Sequence, residues 1–395
     1  MPFAMPSTAA PSLGAMPEIA ATAASVPESL IRRVHELALG LGRDYIALHI
    51  GEPRTPVAPH IIAAASAAWG RDDTDYAPNG GIRPLREAAA AWLGGFGRPI
   101  APEQVWVTNG ATQALHQAIG LAAGPGEEVL VPDPGYTTFT MSTRYHGAVP
   151  VPYALRPETG FGWEVDRLDA LVTPRTRAII VNSPSNPLGT VLDESGAREL
   201  LDWARRRDLW VISDEVYERF TWGGPHVSLT GLDTDDRVLG AFSTSKTYAM
   251  TGIRIGLLVT PPGWSSTMGA LQEAVVSCID VPGQWAAVAA IGGDQEHVAN
   301  ARTRYREHLA AARAVLAEKG YASLAPGGAF YLWVDVREAA RDGDDVAWCD
   351  RMLLEHGVAI APGSAFGSQG RGWVRVCCAG DREALLEGLG RLPAV

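Results

Sequence analysis

Lysine is nearly missing from this sequence. Of its 33 basic residues, only Lys246 and Lys319 are lysines and the rest are arginines. Arginine stays protonated and non-nucleophilic, so such a chain has almost no amine available for covalent chemistry. Cysteine is scarce as well: the 4 present, Cys278, Cys349, Cys377 and Cys378, form no CxxC pair. That excludes a disulfide framework in a chain this long and predicts reduced thiols, as in a cytoplasm. Apolar runs stay short of the roughly 18 residues that a membrane span requires. Positive charge is in deficit, with a net charge of −11 and an isoelectric point near 5.3. A nucleic acid or an anionic membrane would select a basic face, so neither is expected as a partner. HExxH and GxSxG are both absent, which removes support for a metal hydrolase or a serine hydrolase, and no metal site is expected.

What is present describes a folded chain. The 395 residues are 47% hydrophobic, enough for two domains with cores of their own. Residues 1–25 are rich in Ala, Pro and Ser without a basic segment, and predict a flexible arm and no signal peptide. From Val26 apolar residues recur at helical spacing, and Tyr45 to Ile50 reads as a short buried strand closed by Gly51-Glu52-Pro53. The middle of the chain alternates strand and helix with short links. An α/β fold follows, with a mostly parallel central sheet covered by helices. The last hundred residues read as a smaller α+β domain: a basic amphipathic helix over Arg302 to Lys319, strands near Phe330, Val358 and Val374, and loops at Gly327 to Phe330 and Ala361 to Phe366. The expected division is 1–25 arm, 26–60 N-terminal part of the small domain, 61–299 large domain, and 300–395 small domain.

In an open parallel sheet, ligands sit beyond the carboxyl ends of the strands. Polar residues of this chain fall there in succession. Thr108-Asn109-Gly110-Ala111-Thr112 opens a helix whose free N–H groups can cradle a phosphate, although an ordinary capped helix would look the same. Asp133-Pro-Gly-Tyr136 follows a strand and offers an aromatic face, where packing on neighbours is the common alternative. Asn186 lies in a proline-bounded loop, and Asp214-Glu215-Val216-Tyr217 ends another strand.

Last comes Ser243-Thr-Ser-Lys246-Thr-Tyr-Ala-Met-Thr-Gly-Ile-Arg254-Ile-Gly256. It sets one of the two lysines between serines and an arginine whose planar fork suits phosphate. This stretch resembles the lysine signature of the class I and II aminotransferases, which carry pyridoxal phosphate on the fold-type-I scaffold. The resemblance covers nearly everything after the arm.

The resemblance implies a role for each position. Lys246 would hold the cofactor as a Schiff base and then shuttle the proton of the aldimine–ketimine interconversion. Asp214 would pair with the ring nitrogen, Asn186 and Tyr217 with the phenolic oxygen, and Tyr136 would stack on the ring. Gly110, Ala111, Thr112, Ser243, Ser245 and Arg254 would bind phosphate, joined by Tyr76 from a second subunit, so the active unit would be a homodimer with shared sites. Arg375, with Asn186, would take the substrate carboxylate, Gly51 would border the substrate, and Arg54 could grip a distal acid or lie in solvent. The implied activity is ping-pong transfer of an amino group between an L-amino acid and a 2-oxo acid. A pyridoxal-phosphate lyase, or a ligand sensor on the same fold, remains an alternative.

Two departures from the family bear on substrate choice. The usual acidic continuation after Gly51-Glu52-Pro53 is replaced by Arg54, and Val275 to Gly283 reads Val-Val-Ser-Cys-Ile-Asp-Val-Pro-Gly where relatives often carry a loop rich in Ser, Thr and Asn. Thr112 supplies no second basic group for a dicarboxylate.

Overall fold

A computed structural model describes residues 18–395; residues 1–17, which hold most of the expected arm, lie outside it. Twelve strands are found among the described residues: β1 Ile46–Ala47, β2 Val105–Asn109, β3 Glu128–Asp133, β4 Val149–Ala154, β5 Thr176–Asn182, β6 Trp210–Asp214, β7 Val238–Ser243, β8 Ile255–Val259, β9 Tyr331–Asp335, β10 Val358–Ala359, β11 Ala361–Pro362 and β12 Trp373–Cys377. Seven of them make the main sheet, in the order β2-β8-β7-β6-β5-β3-β4. Only β8 runs against its neighbours.

The interiors of the central strands are apolar because both faces of the sheet are covered. In β3, Val129 and Val131 enter the core beneath the Gly110–Ala122 helix, while Leu130 enters the opposite core with Leu200 and Trp203 of the Glu194–Arg207 helix. The pair Ile180 and Ile179 of β5 divides in the same way. Successive side chains of a strand point to opposite faces, so a doubly covered strand has no polar alternation. The Glu194–Arg207 helix is bounded by the Asp193 side chain accepting from the Gly196 amide and by Asp208 in a left-handed conformation.

Two of the main strands were not legible in the sequence. β4 carries Pro150 and Pro152, which a central strand would not tolerate; it lies at the sheet edge and pairs only with β3. β8 is concealed in the tail of the lysine stretch, where Ile255 and Gly256 looked like the end of a turn.

A second sheet, β11-β12-β9, is antiparallel and packs on the Glu296–Glu318 and Asp345–His356 helices through Leu309, Leu316, Trp348 and Met352. The N-terminal segment returns here, since β1 pairs in parallel with β10, and β1 is shorter than the expected strand over Tyr45 to Ile50. The expected boundary at 299/300 falls inside the 23-residue helix Glu296–Glu318, so the chain passes it without a linker. Ala361 to Phe366 is not a free loop: it forms β11 and a tight helical turn, and Phe366 is buried. No helix among the described residues is long and apolar enough to cross a membrane.

Candidate active site

Sheet register brings the polar strand ends into one line. Asn182 pairs with Asp214, Asp214 with Ala241, and Ser243 with Gly256, while Asn109 pairs with Ile255 across β2 and β8. Because β8 is reversed, its N-terminus lies at the same edge as the other strands' C-termini, and Arg254 stands there beside the opening of the Gly110–Ala122 helix. A Cβ on Gly110 would overlap the Arg254 guanidinium, and Gly110 has φ +73°, so both the approach and the backbone conformation suit glycine. Beyond this edge lies a cavity of ≈ 310 Å³.

Twelve of the expected site residues line that cavity: Gly51, Ala111, Thr112, Tyr136, Asn186 and Asp214 on one side of the count, with Tyr217, Ser243, Ser245, Lys246, Arg254 and Arg375 completing it. Gly110 lies directly behind, against Arg254. Two residues are not brought in. Tyr76 is 90% exposed and borders a different depression, with Trp69 and Cys278. Arg54 is exposed and does not line the cavity, although its backbone amide donates to Ala379.

Lys246 sits on the four-residue turn Thr244–Thr247 and donates from Nζ to the Gly51 carbonyl at 2.7 Å. Burial pushes its pKa down to about 8, bringing the neutral amine within reach near physiological pH. Asp214 is buried and receives only the Val216 amide at 3.4 Å. Burial pushes its carboxyl up to about 7, so a cationic partner would be well received. Its neighbour Glu215 faces the other way, where Ser213, His226 and both the amide and hydroxyl of Thr230 satisfy it.

Asn186 is held at both ends. Its amide donates to Asn182 Oδ1 at 2.7 Å, its own Oδ1 accepts from Arg375 Nη1 at 2.8 Å, and Asn182 Nδ2 donates to the Asp214 carbonyl at 3.0 Å. Arg375 lies on β12, the central strand of its sheet, and is only 3% exposed. Its Nη2 donates to the His49 carbonyl at 2.5 Å, its Nε has no partner, and no acid among the described residues pairs with it. The guanidinium is sandwiched between the rings of Tyr331 at 4.6 Å and Phe366 at 4.9 Å.

Arg254 gives one hydrogen bond to the Thr251 carbonyl at 2.6 Å and a longer one to Asn109 at 3.4 Å, leaving other donors free. The first turn of the Gly110–Ala122 helix has no side-chain cap, so its N–H groups are open to an anion. Ser243 donates to the Ile255 carbonyl and accepts from the Ser245 amide, and its hydroxyl is also 2.9 Å from that of Ser245, which ties both serines into the lysine turn while Ser245 has fewer partners than Ser243. Tyr136 packs edge-on against Phe139 and also lines the cavity.

The wall therefore holds three cationic side chains, Lys246, Arg254 and Arg375, against one acid, Asp214. An uncapped helix start, an unpartnered guanidinium nitrogen and a desolvated amine suit a ligand with two anionic ends, an electrophilic carbon and a basic ring nitrogen. Pyridoxal phosphate together with an amino acid has all of these, so the residues present fit the group that the sequence implied.

Sequence reasoning missed Tyr331, Ile31, Ile50 and Thr251, which also line the cavity. Thr251 lies inside the lysine stretch without a role of its own there, while Tyr331 reads only as one more residue of an apolar strand.

The family model for aminotransferases of class I and II matches residues 43–392. An aspartate aminotransferase of Pyrococcus abyssi is 35% identical over 376 residues, spanning 94% of this chain and 96% of that protein. An aromatic-amino-acid aminotransferase of Thermococcus litoralis is 34% identical with the same coverage. Among solved structures, the Thermus thermophilus aspartate aminotransferase with maleate superimposes with a TM-score of 0.90 at 32% identity, covering 95% of this chain and 99% of that one.

Proposed function

The chain belongs to the class I and II aminotransferases, enzymes that use pyridoxal phosphate, and from that premise we propose the part each residue plays and the amino acids it accepts. The cofactor supplies an electron sink that stabilises negative charge at the substrate α-carbon. Arg254, Ser245 and the amides of Ala111 and Thr112 hold the phosphate. Asp214 holds a proton at the ring nitrogen, Asn186 and Tyr217 donate to the phenolic oxygen, and Tyr136 covers one ring face. Arg375 clamps the substrate carboxylate and thereby orients the α-carbon hydrogen toward Lys246. Lys246 Nζ anchors the cofactor between turnovers and, once released, carries the proton away from the α-carbon. A homodimer is part of this reading. Tyr76 is exposed on a loop whose backbone is fixed by Gln284 accepting from Ile82 and Gln272 donating to Asn79, which suits delivery of its hydroxyl to the site of a second copy. Free cysteines, three of them buried, are in keeping with a cytoplasmic enzyme.

We propose donors with neutral side chains. The observation that carries this is how the cavity's charges are committed: Arg254 serves phosphate, Arg375 the α-carboxylate and Lys246 the chemistry, while Ile31 and Ile50 form wall that none of these roles uses. Relatives of similar identity act on aspartate or on aromatic amino acids by their names, so likeness alone does not choose between them. The test is steady-state kinetics of the purified holoenzyme with L-leucine, L-phenylalanine and L-aspartate against 2-oxoglutarate. A kcat/KM for leucine or phenylalanine at least about tenfold above aspartate, roughly 1.4 kcal/mol, supports the reading; the reverse order overturns it.

A further inference from the structure

Tyr331 is absent from the roles assigned above, yet it touches three of the residues that hold them, Tyr217, Arg375 and Gly51. It is the first residue of β9 and pairs with Cys377 of β12, and Trp333, two residues on, pairs with Arg375. Tyr331 and Arg375 are thus diagonal neighbours on one face of the sheet, within reach for an aromatic and a long side chain. The Arg375 guanidinium lies 4.6 Å over the Tyr331 ring. At its far end the Tyr331 hydroxyl is 2.8 Å from the Tyr217 hydroxyl, with the rings inclined at 82°. It also abuts Gly51, where a Cβ would overlap it, and the Gly51 carbonyl is the acceptor for Lys246.

We infer that Tyr331 is a positioning residue for the transfer reaction, its hydroxyl aiming Tyr217 and its ring aiming Arg375. The reasoning rests on the proposed roles of those two residues. Between two neutral hydroxyls only one proton lies in the shared hydrogen bond. If Tyr217 is to donate to the phenolic oxygen of the cofactor, Tyr331 must be the donor to Tyr217. Burial pushes both phenols above their ordinary pKa, so both keep their protons. The titratable and charged groups facing Tyr331 are Arg375 and Cys377 from β12, Tyr217 after β6 and Tyr136 after β3. The ring acts separately from the hydroxyl: with Phe366 it fixes the plane of a guanidinium whose Nε awaits a partner.

Two variants of the holoenzyme separate these contributions. Tyr331→Phe keeps the ring and removes the proton. It is expected to move the pH midpoint of the bound cofactor's absorbance by about half a unit and to lower kcat about 3- to 10-fold, with KM for a neutral donor changed less than about twofold. Tyr331→Leu removes the ring too and is expected to raise both that KM and the Kd of 4-methylpentanoate, a carboxylate without an amine, about 5- to 30-fold. An unchanged absorbance midpoint and kcat in Tyr331→Phe would overturn the inference, and this holds even if the leucine variant fails to fold. A wild-type protein that takes up no pyridoxal phosphate would instead overturn the reading of the site on which the inference stands.

Discussion

Replacing Arg375 by methionine should separate binding from folding. In the substrate-free protein this guanidinium is a buried cation without a counter-ion among the described residues; two of its nitrogens are used by Asn186 and His49, and Nε is left over. A substrate carboxylate would complete a bidentate, charge-assisted pair away from water. Losing such a pair costs about 3–5 kcal/mol, which at 1.36 kcal/mol per decade is a fall of about 10²- to 10⁴-fold in kcat/KM. Stability should respond differently. Methionine leaves the Asn186 and His49 oxygens without a donor, at about 1–3 kcal/mol each, but relieves the desolvation of an unpaired charge, which is several kcal/mol. These contributions oppose each other, so the melting temperature of the ligand-free protein should move by no more than a few degrees. The assay is steady-state kinetics with a neutral donor beside thermal unfolding, with and without 4-methylpentanoate. A kcat/KM within tenfold of wild type would refute the carboxylate role; a large loss of melting temperature without ligand would show that Arg375 instead holds the fold together.

Three further outcomes are expected. In cofactor-free protein, the lowered pKa of Lys246 means the neutral amine predominates above about pH 8, so labelling by an amine-reactive aldehyde should reach half its maximum near pH 8, two units or so below an ordinary lysine, and Lys246→Ala should remove both that labelling and the cofactor's absorbance. For Asp214 the folded pKa is raised to about 7 from an ordinary 3.8; the folded state therefore holds a proton that the unfolded state gives up, and this residue's contribution to the stability of cofactor-free protein should fall as pH rises from about 4 to 7. Asp214→Asn should flatten that pH dependence in thermal melts while lowering kcat of the loaded enzyme by about 10²-fold or more. Thr112→Lys should place an ammonium on the cavity wall and raise kcat/KM for aspartate relative to leucine by about 5- to 30-fold, whereas Arg54→Ala, altering an exposed residue outside the wall, should leave that ratio within about twofold.

Much of this site could be read before the fold was seen, for a physical reason. Lys246, Asp214 and Asn186 each lie at or just after the end of a strand, and parallel strands place all such ends along one edge, so order in the sequence becomes proximity in space. Arg375 was legible from resemblance, but its burial was not: alternation in Trp373 to Cys377 does not say that β12 is flanked on both sides. Tyr331 was invisible because its work depends on the register between β9 and β12, and pairing partners cannot be read from either strand alone. The same blindness applied to β4, whose prolines argued against a strand until its edge position accounted for them, and to β8, whose direction decides where Arg254 stands.

The reversed strand carries a consequence of its own. Lys246 follows the end of β7 and Arg254 precedes β8, and the two strands run side by side with Ser243 opposite Gly256. On the roles proposed for Lys246 and Arg254, the covalent and ionic attachment points of one rigid molecule would be spaced by a single hairpin. On that reading its connection would act as a ruler for a fixed chemical object, and adding or deleting one residue between Thr247 and Ile253 should separate the two grips and weaken retention of the cofactor.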